Sequence, residues 1–150
     1  MAKQSYTLSL PLVTEEWQED VLSKRLEIAR NMYNACLGRL MKRYRRMKQD
    51  KEYRCWIQQK ASKERSQALR ELIKKHELSE YSIHAFVKPM QHHFKKNIDS
   101  LTAQKIATRS WLTFEKYIFH KDTKRVIFKR HGTMNSVEGK SNTSGKKQVG

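Results

Sequence analysis

The sequence predicts a mainly helical (α+β) protein in which about four amphipathic helices lie between short β-strands. Three observations support this fold class. Apolar residues recur at three- and four-residue steps from Trp17 to Tyr44, as they do along one face of a helix. Polar and apolar residues alternate over residues 6–10, and residues 126–128 form a β-branched and aromatic run flanked by charge, which are both strand signals. A length of 150 residues suits one domain.

The first elements along the chain are a strand and a long helix. The alternating pattern within residues 5–13 predicts a strand, and Pro11 should end it. Thr14 is the expected N-cap of the first helix, because a hydroxyl followed by several acidic residues favours a helix start. We expect this helix to run to roughly Lys48.

Three further helices are expected before residue 122. The second covers residues 51–77, and Ser79 caps the third. Pro89 should kink or break the third helix, unless it lies in the first turn of a further one. Either Asp99 or Ser100 caps the last helix, whose apolar stripe has a small residue between aromatic ones and therefore predicts close packing against another helix.

The period changes after the last helix. Residues 124–130 predict a strand, and His131-Gly132 a turn. The predicted strands thus lie in residues 1–13 and 123–138, outside a helical region of residues 14–122. Residues 139–150 have the Gly-, Ser- and Asn-rich composition of a flexible basic tail.

The charge is strongly positive and unevenly distributed. There are 32 basic and 15 acidic residues, so the formal net charge is 32 − 15 = +17. Residues 39–60 carry a net charge of +7 and residues 123–150 carry +6, whereas residues 1–38 carry −1. Such positive blocks attract polyanions, and phosphate backbones are the commonest polyanions in a cell. The charge pattern therefore predicts a nucleic-acid partner.

Nothing in the residue pattern predicts catalysis, a cofactor or a metal site. A metal-dependent nuclease needs two or three converging carboxylates, and the acids here lie mostly at a helix start or paired along helices. The spacing of the two cysteines and six histidines is not that of a metal site. A Cys–His nucleophile pair stays open, but core packing is the better interpretation of Cys36 on the apolar stripe. We expect a binder without enzymatic activity.

The sequence also bears on location. No apolar stretch approaches the roughly 20 residues that span a bilayer, and no apolar segment of a secretory signal follows Met1. We expect a cytoplasmic protein without a membrane partner.

The candidate nucleic-acid contacts are cations, several of them beside aromatic residues, because this combination allows phosphate contacts together with base stacking. Tyr44, Tyr53 and Phe128 are the aromatic residues concerned, although core packing is the alternative for each. Arg109, on the last predicted helix, would need a carboxylate or a phosphate as a partner. The candidate cations are Arg39, Lys42, Arg43, Arg45, Arg46, Arg54, Arg109, Lys124, Arg125, Lys129, Arg130 and Lys140.

The order of motifs resembles the N-terminal part of transposon-encoded TnpB proteins (the OrfB type), and by extension type V CRISPR effectors. The resemblance rests on a strand, a long helix with Arg-Asn-Met-Tyr-Asn at residues 30–34, basic helices, Arg-Ser-Trp-Leu-Thr-Phe at residues 109–114, and a Phe-Lys strand at residues 126–130 followed by Asn135-Ser136. It covers nearly the whole chain in order and spacing.

The resemblance implies RNA-guided DNA targeting, with a structured guide-type RNA and double-stranded DNA as partners, in a bacterial cytoplasm and at the nucleoid when DNA is bound. The helices would form a recognition-lobe-like bundle inserted between strands of an incomplete wedge-type β-barrel. Tyr33 and Asn34 match the first-helix motif, and Phe128, Lys129 and Asn135 match the strand motif. Asn135 thereby joins the candidate contacts, and Lys129 is the favoured phosphate contact.

The RuvC-like nuclease with three carboxylates and the zinc ribbon of that family are not in this sequence. The resemblance therefore implies a truncated, transposase-type fragment without nuclease activity. Two other hypotheses stay open. One is a stand-alone basic helical protein that binds DNA or RNA non-specifically, and the other is an interaction module for an acidic protein.

Overall fold

The computed structural model describes residues 7–120 and 125–138, and five helices account for most of them. These helices are α1 (Glu16–Gln49), α2 (Lys51–Ile57), α3 (Lys63–Lys75), α4 (Glu80–His93) and α5 (Ser100–Phe119). The prediction of a mainly helical bundle is confirmed. No β-strand occurs among the described residues, so neither the predicted strands nor the wedge-type barrel is supported there.

Helix α1 is 34 residues long and begins one residue later than expected. Glu15 is its N-cap, and the Glu15 backbone N–H donates to the Gln18 side chain at 2.9 Å in a capping box. The Thr14 hydroxyl donates instead to the Glu19 carboxylate at 3.0 Å. The predicted apolar stripe is also partly wrong, because its first member, Trp17, is 61% exposed. The buried stripe begins at Ile28.

The core lies where α5 packs between α1 and α4. Leu37 and Leu40 of α1, Ile83 of α4 and Phe114 of α5 are fully buried. Each such side chain stabilises the fold by about 1.5–3 kcal/mol relative to an exposed position. Ser110, the small residue expected at a helix contact, is also fully buried, and its hydroxyl donates to the Ala107 carbonyl at 2.7 Å.

The predicted second helix is in fact two helices. Residues 58–62 separate α2 from α3, and Ser62 starts a new helix by accepting the Arg65 N–H at 3.1 Å. Residues 58–62 are all exposed, and α2 buries no side chain completely, so packing does not favour a continuous helix through this segment.

The cap predictions for the last two helices are confirmed, whereas the break at Pro89 is not. Ser79 accepts the Ser82 N–H at 3.1 Å, and Asp99 accepts the Thr102 N–H at 3.2 Å. Helix α4 continues through Pro89 to His93. Pro89 and Ala85 are both exposed, so the carbonyl that loses its helical partner faces solvent rather than the core.

The two predicted strand segments lack regular secondary structure where they are described. Leu8, Leu10, Leu12 and Val13 are at least 71% exposed and have no sheet to pack against. Residues 1–6, 121–124 and 139–150, which include parts of both predicted strand regions and the predicted tail, lie outside the described residues.

Residues 125–138 cross the helical bundle, and side chains take the place of a partner strand. The Lys129 N–H donates to Asn34 Oδ1 at 2.9 Å, and the Lys129 carbonyl accepts from Asn34 Nδ2 at 2.8 Å and Arg30 Nη1 at 3.2 Å. The Gly132 N–H donates to the Glu27 carboxylate at 2.7 Å. Because side chains satisfy these backbone groups, the alternating sequence needs no β-ladder.

Candidate nucleic-acid interface

Three of the predicted contacts form an exposed surface on α1, which we call the outward cationic face: Lys42, Arg45 and Arg46. Arg45 and Arg46 lie three and four residues after Lys42, so the Lys42 side chain neighbours both on the helix. At about 100° per residue Lys42 and Arg45 point away from the buried Cys36 and Leu40, and Arg46 lies at the edge of this face, about 80° from Cys36. None of the three has a hydrogen bond or ion pair to another residue in the described part of the chain. Their charges are therefore available to an anionic partner.

The other two predicted cations of this helix point towards α4 instead. Arg43 Nη1 donates to the Glu77 carbonyl at 3.0 Å and to Ser82 Oγ at 3.4 Å, and Arg43 Nη2 lies 3.4 Å from the Glu77 carboxylate. The Arg39 guanidinium lies 4.8 Å from the centroid of the Phe86 ring. Burial lowers the pKa of Arg43 from its ordinary value. Arg39 and Arg43, which we call the inward arginines, brace α1 against α4.

The positive surface continues across the junction of α1 and α2. Arg54 is exposed, and its Nε donates to the Lys48 carbonyl at 3.4 Å. Asp50, between the two helices, accepts from His76 Nε2 and Lys75 Nζ, each at 3.1 Å. These hydrogen bonds and that of the Glu52 N–H lower the pKa of Asp50 to about 2. Asp50 thus stays charged at neutral pH, but Lys75 and His76 already engage it.

The predicted contacts after α4 have mixed surroundings. Arg109 Nη1 donates to the Ser136 backbone carbonyl at 2.9 Å, and no carboxylate pairs with Arg109 in the described part of the chain. A backbone carbonyl satisfies an arginine N–H as a carboxylate would. Arg125, Arg130 and Asn135 are exposed. Lys124 and Lys140 lie outside the described residues.

The residues that carry the family resemblance contact one another. Asn34 holds the backbone of Lys129, and the Lys129 ammonium lies 5.3 Å from the centroid of the Tyr33 ring. Tyr33 is buried, and its hydroxyl is 2.8 Å from Thr113 Oγ1. Tyr33 and Asn34 therefore have a structural role here, and Lys129 is less available than the outward cationic face.

Two of the aromatic residues beside the cations contact the helical bundle. Tyr44 packs edge-on against Phe114, with ring centroids 5.8 Å apart. Phe128 is 45% exposed and lies over Gly38, where an added Cβ would be 3.8 Å from its ring. Sequence reasoning did not find that Tyr44 and Tyr53 line a cleft with side chains of α3 and α5. These segments are distant in sequence, so no local pattern could reveal it.

The described residues also bear on the metal and membrane expectations. Residues 7–120 and 125–138 contain no group of three or more His, Cys, Asp or Glu side chains placed to hold a metal ion. Within the same ranges, no helix combines the length and apolar character required to cross a bilayer. Cys36 is fully buried, and burial raises the pKa of its thiol to about 12, in keeping with a packing role.

Comparison with known proteins gives no match of any kind: no family model, no curated protein and no solved structure resembles the chain closely enough to report.

Proposed function

We propose that this chain binds nucleic acid through phosphate contacts made by Lys42, Arg45 and Arg46. The single observation that carries the proposal is that these three cations share one exposed face and have no anionic partner in the described part of the chain. Arg54 extends the positive surface beyond the end of α1. A row of unpaired cations at helical spacing suits the regular spacing of a phosphate backbone.

The kind of nucleic acid follows from the family resemblance. A TnpB-like recognition fragment would bind a structured guide-type RNA and the DNA that this RNA targets, and it would leave cleavage to a nuclease region. We therefore propose a structured RNA as the primary ligand, with double-stranded DNA as the second. The chain has no catalytic role in this proposal.

The experiment is to purify the chain, wash it at moderate salt, and sequence the nucleic acid that stays bound. One dominant structured RNA encoded beside the gene would support the proposal. A random mixture that is lost as salt rises would instead support non-specific binding by a basic helical protein. Absence of nucleic acid, together with capture of an acidic protein, would overturn the proposal in favour of an interaction module.

A further inference from the structure

An apolar cleft of about 270 Å³ lies between the end of α1, the α2 and α3 helices, and the end of α5. Its walls include four aromatic side chains and two aliphatic ones: Tyr44, Tyr53, Trp111, Phe119, Ile57 and Leu69. None of the side chains that line it is charged. The site lies just below the roughly 300 Å³ at which small-molecule pockets usually begin, and so suits one flat group.

The cleft is preformed and open. The rings of Tyr44 and Trp111 are held from behind by Phe114, at centroid distances of 5.8 Å and 5.7 Å. At the mouth, Ile57 is 43% exposed and Phe119 is 65% exposed. Exposed apolar side chains around a fixed cavity lose unfavourable contact with water when a flat apolar ligand enters.

Two cations lie near the cleft although its walls are neutral. The Lys48 ammonium lies 4.9 Å from the centroid of the Tyr44 ring, and Arg54 Nε donates to the Lys48 carbonyl at 3.4 Å. An occupant that is flat and apolar at one end and anionic at the other would satisfy both environments.

The chain itself offers a poor occupant nearby. The residues that follow α5, Lys121-Asp122-Thr123-Lys124, contain no large apolar side chain. A nucleotide has the required chemistry, because its base has an apolar face and its phosphate carries negative charge. A base in a duplex is stacked and paired, and so cannot enter such a cleft without being extruded.

We propose that the cleft binds an unpaired nucleobase from a single-stranded or looped segment of RNA, whose adjoining phosphate meets Lys48 and Arg54. This inference rests on the proposed function and adds a preference for unpaired over duplex segments. Stacking on aromatic rings tolerates any base, so the cleft reads the absence of pairing rather than a sequence.

The test compares a hairpin RNA with an eight-nucleotide loop and a blunt duplex of equal length, by fluorescence anisotropy on the full chain. We expect tighter binding of the looped RNA. Phe119→Leu keeps an apolar side chain but removes a stacking surface, and should weaken loop binding roughly tenfold without affecting duplex binding. Tyr81→Leu is the matched control, because Tyr81 is 86% exposed on α4 and does not line the cleft.

A second readout locates the base directly. A looped RNA with 5-iodouridine at each loop position in turn should crosslink under near-ultraviolet light to Tyr53, Trp111 or Phe119. Crosslinks only outside the cleft, or equal loop and duplex affinities unchanged by Phe119→Leu, would overturn the inference. If neutral substitution of Lys42, Arg45 and Arg46 still weakened binding in that case, the proposed function would survive. If the wild-type chain bound neither RNA, both proposals would fail.

Discussion

The end of α1 carries cations on two faces that differ in what they contact. The inward arginines, Arg39 and Arg43, are engaged by Phe86 and Glu77, whereas Lys42, Arg45 and Arg46 have no partner in the described part of the chain. In the sequence these five residues lie within eight positions, and their charge does not distinguish them. Helical phase separates Lys42 and Arg45 from the inward arginines, whereas Arg46 lies nearly in phase with Arg39 and differs from it in having no partner among the described residues.

The largest effect expected from this difference is on nucleic-acid affinity. Replacing Lys42, Arg45 and Arg46 together by Gln should flatten the log–log salt dependence of single-stranded RNA binding by about two units, since each lost phosphate contact removes about 0.7. Affinity near 0.1 M salt should fall by roughly tenfold to a hundredfold. A salt titration measured by anisotropy gives both values.

The control for that triple variant removes the same charge elsewhere. Lys88, Lys95 and Lys96 are exposed, at the end of α4 and just after it. Replacing these three by Gln should leave most of the affinity unchanged. Equal losses in the two triple variants would mean that net charge matters and the outward cationic face does not.

The next effect is on stability and concerns an inward arginine. Arg43→Ala removes hydrogen bonds to Glu77 and Ser82, and should lower the free energy of unfolding by about 2 kcal/mol. Lys42→Ala should change it by no more than about 0.5 kcal/mol. Urea denaturation followed by circular dichroism measures both, and similar values for the two variants would contradict the division into faces.

A pH effect on stability is expected at Asp50, which lies between α1 and α2. The pKa of Asp50 is about 2 in the folded chain and about 3.8 when unperturbed, so its contribution to stability is present above about pH 4. That contribution is lost as the pH falls towards 2, because the folded carboxylate must then be protonated. Asp50→Asn should remove this part of the acid dependence of the unfolding midpoint, and an unchanged dependence would contradict the role of the Lys75 and His76 contacts.

The smallest effect is expected at Lys129. Its ammonium already lies over the Tyr33 ring, so Lys129→Ala should flatten the salt dependence of RNA binding by less than one unit, and by less than Arg46→Ala does. A salt titration of the two single variants makes the comparison. A larger effect at Lys129 would show that its ammonium leaves the ring when nucleic acid binds.

Local signals predicted the helices well where a cap or a long apolar period was present. Ser79 and Asp99 cap the helices assigned to them, and Cys36 is buried as its place on the stripe indicates. The strands failed because alternation predicts an extended chain but not its hydrogen-bond partner, and Asn34 supplies that partner for Lys129. Whether a side chain on an amphipathic stripe is buried also depends on what packs there, as the exposed Trp17 shows.

The candidate site was only partly predictable for a related reason. The positive block of residues 39–60 is plain in the sequence, and helical spacing could have separated Lys42 from Arg43. The partner of Arg109 and the aromatic cleft depend on contacts between distant segments, which composition and spacing do not encode.

The way Asn34 holds residue 129 leaves that position open to change. Both hydrogen bonds from Asn34 reach the peptide backbone, so they make no demand on the side chain at 129. Any amino acid except proline, which has no N–H, can be anchored there in the same register. The charge at position 129 can therefore change, in evolution or by design, without loss of the two hydrogen bonds from Asn34.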